Sequence, residues 1–228
     1  EYRDPVPPCA VCRPRGFEQK GKLITFNPKS HVRMSPSFQP EADGVTFHLK
    51  AVYTDTLRNE YSKEHSTHPI RMSRICGPVE VVNDTTFTVR FYRMGLDNPK
   101  RTGGICLMAS VKQDHKYRSA VQQVEIRIPY RNKEGIPQRI IFPKLSDVKA
   151  SVKEISLNGT ADSGLPVYYY VKEGPAEIKG DKLVLTKIPP RAKFPVKVTV
   201  VAWQYGRSGE PKVQTAEAVE QSFYITAR

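Results

Sequence analysis

The sequence predicts an all-β chain of two tandem β-sandwiches behind a Pro-rich lead-in. Three observations carry that expectation: period-2 alternation of apolar and polar residues, 19 prolines in 228 residues, and an internal repeat. Alternation with period 2 sends successive side chains to opposite faces of a sheet. Proline interrupts helices but is tolerated at turns and edge strands, so its abundance argues against a helical bundle. The length suits one large domain or two smaller ones, and either can bury a core without disulfide staples.

Residues 1–22 carry Pro5, Pro7, Pro8 and Pro14 with several basic residues and little to bury. They read as a linker leading out of a preceding segment. The chain opens Glu1-Tyr2-Arg3-Asp4-Pro5 and shows no charged start followed by an apolar core, so no signal peptide is expected. From Leu23 onward the alternation dominates. Val45, Phe47, Leu49, Ala51 and Tyr53 alternate with Thr46, His48, Lys50 and Val52, and Phe87, Val89 and Phe91 with Thr88 and Arg90. Val124, Ile126 and Ile128 follow the same rule, as do Val196, Val198, Val200 and Ala202. Turn residues punctuate these runs, as at Gly77-Pro78, Asn83-Asp84, Gly174-Pro175 and Gly180-Asp181. The only stretch of helix-like composition, Thr56 to His65, is too short and polar to organise a domain.

The repeat is read by aligning PIRMSRICGPVEVVND (Pro69–Asp84) with PVYYYVKEGPAEIKGD (Pro166–Asp181). Pro69/Pro166, Gly77/Gly174, Pro78/Pro175, Glu80/Glu177 and Asp84/Asp181 coincide without a gap. The flanks agree: Ile105–Ser110 corresponds to Val198–Trp203, and AVQQVEIRI at Ala120 to AVEQSFYI at Ala218. Two copies in the same order mean two domains of one fold, expected over 23–132 and 137–228 and joined by the linker RNKEGIPQ. Each copy offers about seven short strands, the count of an Ig-like sandwich. The first copy carries an insertion at Leu57–Thr67 (LRNEYSKEHST) that the second lacks.

The second copy resembles bacterial Ig-like repeats. Its SGLPVYYYVKEGPAEIKGDKLVLT, VTVVAWQYGR and AVEQSFYI are similar to the SGLPV turn, GPA turn and VTVxAxQxG strand of those domains. The resemblance covers roughly residues 139–226, and reaches 23–130 only through the internal repeat; the first copy has STHPI at Ser66–Ile70 where SGLPV would stand. It implies a non-catalytic module of an exported or surface protein, often beside carbohydrate-degrading or adhesive domains.

Composition adds little about partners. The 36 Lys+Arg against 23 Asp+Glu give a net charge of +13, but the excess is spread over both copies without a long basic run. A nucleic-acid reader would show clustered basic residues with a reading motif, so nucleic acid is not expected. No apolar run approaches the roughly 18 residues of a membrane span.

Candidate chemistry is sparse. Cys9-Ala10-Val11-Cys12 has metal or redox spacing, but a zinc site needs two more ligands and a redox pair needs a helix N-terminus. Cys76 and Cys106, on predicted strands, read as a structural disulfide or as free thiols. The second copy has Glu173 and Thr199 there, so a bridge is not required by the fold. His65 and His68 have no carboxylate or cysteine cluster close in sequence and read as an exposed polar loop. No catalytic residue, metal or cofactor is expected. The candidate binding residues are Trp203, Tyr205, Tyr168 and Tyr170. Their repeat partners are Ser110, Lys112, Arg71 and Ser73, so the fold does not require aromatics there, and exposed rings could stack on a sugar or anchor a protein.

The leading expectation is a spacer or interaction region of a larger exported bacterial protein, at the periplasm, cell surface or outside. Its partner would be a neighbouring domain or another surface protein. The alternative is a carbohydrate-binding module using those aromatics on a glycan. A third is an enzyme with the Leu57–Thr67 insertion as one wall of its site.

Overall fold

The computed structural model describes residues 13–25, 36–55, 60–91 and 103–227; the Cys9/Cys12 motif and residues 56–59 of the insertion region lie outside them. No helix occurs among the described residues, and none is therefore long and apolar enough to cross a membrane. The chain is all-β and folds as two Ig-like β-sandwich units.

The first unit takes described residues of 13–40, 46–90 and 103–129. Its strands are β1 (Gly16–Gln19), β2 (Lys22–Thr25), β3 (Thr46–His48), β4 (Lys50–Val52), β5 (Thr54–Asp55), β6 (Glu60–Tyr61), β7 (Arg71–Cys76), β8 (Val79–Val81), β9 (Thr86–Val89), β10 (Gly104–Val111) and β11 (Ala120–Arg127). They form sheets in the orders β2-β1-β4, β11-β10-β7 and β3-β9-β8, with a β5-β6 pair beside them. The second unit takes 41–45, Phe91 and 130–227. Its strands are β12 (Ile140–Ile141), β13 (Val148–Lys149), β14 (Glu154–Ser156), β15 (Thr160–Ala161), β16 (Tyr168–Glu173), β17 (Ala176–Lys179), β18 (Lys182–Leu185), β19 (Val196–Trp203) and β20 (Val219–Thr226). A four-stranded sheet, β13-β20-β19-β16, faces the three-stranded β14-β18-β17. Leu157, Leu183, Val198, Val200, Phe223 and Ile225 fill the core of this unit. Each such side chain taken fully out of water contributes about 1.5–3 kcal/mol.

The internal repeat is built into the backbone. In both copies the Gly of the Gly-Pro corner has positive φ, 99° at Gly77 and 103° at Gly174. A Cβ there would lie 2.4 Å from the Gly104 carbonyl oxygen in one copy and 2.6 Å from that of Lys197 in the other. Conformation and close approach to the facing strand both demand glycine. The Pro78 carbonyl accepts from Arg90 N and the Pro175 carbonyl from Thr186 N, closing both corners alike. The same bulge precedes each corner: β7 skips Ile75 against β10, and β16 skips Lys172 against β19.

Alternation is realised where it was clearest. Val45, Phe47, Leu49 and Ala51 are buried while His48 and Lys50 are exposed, and Val124, Ile126 and Ile128 are buried with Arg127 exposed. Two expectations fail. The lead-in was expected to run to residue 22, but Gly16–Gln19 is a strand between β2 and β4, and Phe17 is completely buried. Pairing on both edges, the Phe17 ring and the buried Gln19 side chain, which donates to the Ser37 carbonyl, anchor it. Residues 131–138 were expected to be a linker, but they are stitched into the second unit. Asn132 N donates to Thr215 Oγ1 and its carbonyl accepts from Thr215 N, both at 2.9 Å. Ile136 N donates to Lys212 O, and Gln214 N to Ile136 O.

Candidate functional site

The four aromatic residues expected as an exposed platform are not one. Trp203 and Tyr205 are fully buried, Tyr170 is 5% exposed, and only Tyr168 is half-buried. The reason is packing within the second unit. Strand β19 is buried on both faces from Val198 to Trp203. Tyr168 pairs with Trp203 across β16 and β19, their rings 4.9 Å apart, and Phe91 meets Trp203 edge-on at 5.0 Å and Tyr205 at 5.8 Å. Desolvation raises the Tyr205 hydroxyl above its ordinary pKa. The Tyr205 carbonyl is held by Asn132 Nδ2 at 2.9 Å and Thr215 Oγ1 at 2.5 Å. Gln204, between them, is also fully buried: Nε2 donates to Pro166 O and Oε1 accepts from Gly206 N, both at 2.6 Å. The SGLPV turn and the Gln-x-Gly pair are thus two ends of one tether.

The structure brings a different set of residues together, in the first unit. A cleft of about 440 Å³ opens between β4 and the loop from Tyr61 to Ile70, with Asp84 and Thr85 at its margin. That volume is within the range of small-molecule sites. The loop has its shape because it wraps Tyr53. The His65 ring stacks on the Tyr53 ring at 4.6 Å, and Tyr53 Oη donates to the His68 carbonyl at 3.3 Å. His65 Nδ1 lies 2.8 Å from the Ser66 carbonyl, which can only accept, so the proton sits on Nδ1. Ser66, 2% exposed, donates its hydroxyl to Asp114 Oδ2 at 2.5 Å and accepts from His68 N at 3.2 Å.

Tyr61, His65 and His68 are among the exposed residues that line the cleft, with Lys50 and Thr67. Tyr61 is 47% exposed and its hydroxyl donates to Glu18 Oε2 at 2.6 Å. That bond to a carboxylate raises the Tyr61 hydroxyl above its ordinary pKa. The carboxylates nearby are occupied. Asp84 accepts from Met72 N at 2.9 Å and from Arg71 at 2.7 Å, which lowers its pKa, and Asp114 is held at about 2, chiefly by the Ser66 hydroxyl and then by the amides of Lys116 and Tyr117. Carboxylates held ionised in this way are poor proton donors near neutral pH. The cleft suits binding: ring faces, two imidazoles, Lys50, and hydroxyls at its rim. His65 and His68 do occupy an exposed polar loop, and no group of three metal-ligating side chains occurs among the described residues.

The sequence carried one signal for this site, the insertion near 57–67 that the second copy lacks. Tyr53 gave none, because it falls on the buried side of the alternation. The Asp114–Ser66 bond joins residues 48 apart and leaves no local trace.

The sequence matches no protein-family model and no curated protein. Among solved structures, the chain is similar to human protocadherin-24 EC1-2, at 14% identity over 85% of this chain and 94% of that one, with a TM-score of 0.32. It is similar to Drosophila N-cadherin EC1-4 at 12% identity over 86% of this chain, with a TM-score of 0.30, and spans 48% of that chain. Mouse cadherin-23 EC22-24 matches at 17% identity over 96% of this chain and 66% of that one, with a TM-score of 0.28. Overlaps this loose say nothing of ligand or activity.

Proposed function

We propose that the chain is a non-catalytic spacer and interaction region of a larger exported protein, in which the first unit holds the contact site and the second is support. The observation that carries this reading is the difference between the two copies. What recurs is framework: the Gly-Pro corner, the bulge before it, and the carbonyl contacts that close it. What is confined to the first copy is the loop that builds the Tyr53–Tyr61 cleft. The likeness of the second copy to bacterial Ig-like repeats supports an exported, surface-facing role for the pair, with a neighbouring domain or another surface protein as partner.

A second reading is favoured by the cleft itself. An exposed tyrosine beside a stacked Tyr–His pair suits a sugar ring, so carbohydrate binding is assigned to the first unit in place of the buried Trp203 set. Tyr61→Ala tests both. Binding to a glycan or protein array is compared for the intact chain and the variant, with circular dichroism confirming the fold. A loss of tenfold or more supports the cleft as the contact site, and the hit class decides between protein and glycan. Equal binding by both proteins removes the cleft from the reading. Turnover of a bound glycan would overturn the non-catalytic assignment.

A further inference from the structure

A second feature separates the copies, on the opposite strand partners of the first unit. Cys76 ends β7 and Cys106 lies near the start of β10, and the two are register partners at the bulge before the Gly77-Pro78 corner. Side chains directly opposite in an antiparallel pair share a face. Cys106 lies on the outer face of β10, between buried Ile105 and Leu107, and Cys76 is exposed. Both cysteines are free thiols, and they interact closely enough that Cys76 helps raise the Cys106 pKa. Facing residues of an antiparallel pair have Cα atoms about 4.5–5.5 Å apart, inside the roughly 4.4–6.8 Å that a disulfide spans.

The second copy shows that this position brings side chains into contact. Glu173 and Thr199 are register partners at the matching bulge, and Thr199 Oγ1 donates to Glu173 Oε2 at 3.3 Å. In one unit the pair is closed by a hydrogen bond; in the other it carries the one side-chain chemistry that can close covalently.

We propose that Cys76 and Cys106 form an oxidisable cross-strand dithiol, a modification site at which thiol–disulfide exchange staples β7 to β10. The oxidant is a low-molecular-weight disulfide, RSSR. The Cys76 thiolate attacks one sulfur of RSSR, forming the Cys76–S–SR mixed disulfide and releasing RS⁻, which takes up a proton. Cys106 then loses its proton to solvent, its sulfur displaces the second RS⁻, and the Cys76–Cys106 bond forms. Two thiols are oxidised by two electrons and RSSR is reduced to two RSH. Cys76 leads because it is the more exposed of the two. Burial, then the contact with Cys76, raises the Cys106 thiol, so less of it is thiolate and it follows rather than leads. The bond closes a covalent ring that contains β8 and β9. The inference is independent of what the cleft binds.

The test equilibrates the full chain, with Cys9→Ser and Cys12→Ser to remove the other thiols, in oxidised and reduced glutathione at graded ratios. Peptide mapping after alkylation reads the product. The expected result is a Cys76–Cys106 linked peptide with a loss of two hydrogens, and a melting temperature raised on the order of 10 °C over the reduced protein. The double variant Cys76→Glu/Cys106→Thr, which installs the second copy's pair, is the folding control: it should fold and melt independently of redox ratio. Separate alkylation or separate glutathionylation of Cys76 and Cys106 at every ratio would overturn the proposal. So would a linked peptide with an unchanged melting temperature, because the staple would then constrain nothing.

Discussion

Gln204 shows how much one side chain organises. Its amide bridges the Pro166 carbonyl, where the chain turns into β16, and the amide of Gly206, where it leaves β19. Gly206 has φ 80°, and a Cβ there would lie 2.3 Å from the Val213 carbonyl oxygen. Gln204→Leu would keep the volume and remove both bonds, leaving the buried Gly206 N–H unpaired at about 1–3 kcal/mol, while the carbonyl of exposed Pro166 can turn to water. Urea unfolding should therefore show a loss of about 1–3 kcal/mol, whereas an exposed glutamine replaced in the same way would cost almost nothing. The motif was visible in the sequence as a family likeness, but its reason was not, since the partner lies 38 residues away. Trp203 was misplaced for a related cause. Alternation assigns residues to faces without saying which face meets water, and the unbroken run Val200-Val201-Ala202-Trp203 belongs to a strand buried on both. That continuous run was the available warning.

Among the elements, the loop from Tyr61 to Ile70 depends on an ionised carboxylate. Asp114 is held at about 2, below its ordinary 3.8, first by the Ser66 hydroxyl and then by two backbone amides. A carboxylate whose pKa is depressed by folding adds stability that is present above the unfolded value of 3.8 and disappears as pH falls toward 2. Ser66→Ala removes the largest cause, so the folded value rises and this pH-dependent contribution shrinks. Denaturant midpoints measured at pH 7 and pH 3 should lie closer together in the variant than in the parent. An unchanged gap would show that the backbone amides of Lys116 and Tyr117 suffice. Strand positions and the two corners were legible from alternation and Gly-Pro punctuation. The loop's shape was not, because it is set by a ring stack and a hydrogen bond between distant residues.

For the whole molecule, the repeat predicted two units of one fold, and the chain divides into two. Their membership differs from a simple cut: residues 41–45 and Phe91 belong with the second unit, although sequence order places them in the first copy. Arg207 Nη1 donates to the Ala42 carbonyl at 3.0 Å, and Gly206 approaches Gly44 closely. No periodicity in a linear sequence announces that a segment will cross over. A fragment beginning at Pro137 should consequently be less stable than one beginning at Tyr130, since it loses the Asn132 bonds to Tyr205 and Thr215. Comparative thermal melts of the two fragments check this, and equal melting temperatures would return 131–138 to the status of a linker.

Trp203 is the only tryptophan of the chain, and its burial makes it a built-in optical probe. Its emission in the intact protein should be blue-shifted and protected from acrylamide. A fragment starting at Tyr130 lacks Phe91, whose ring packs nearly perpendicular to the indole. Its emission should move to the red and quench more readily even while the rest of the unit stays folded. The same signal, followed during denaturation, reports the second unit alone, so its unfolding can be timed without labelling a single residue.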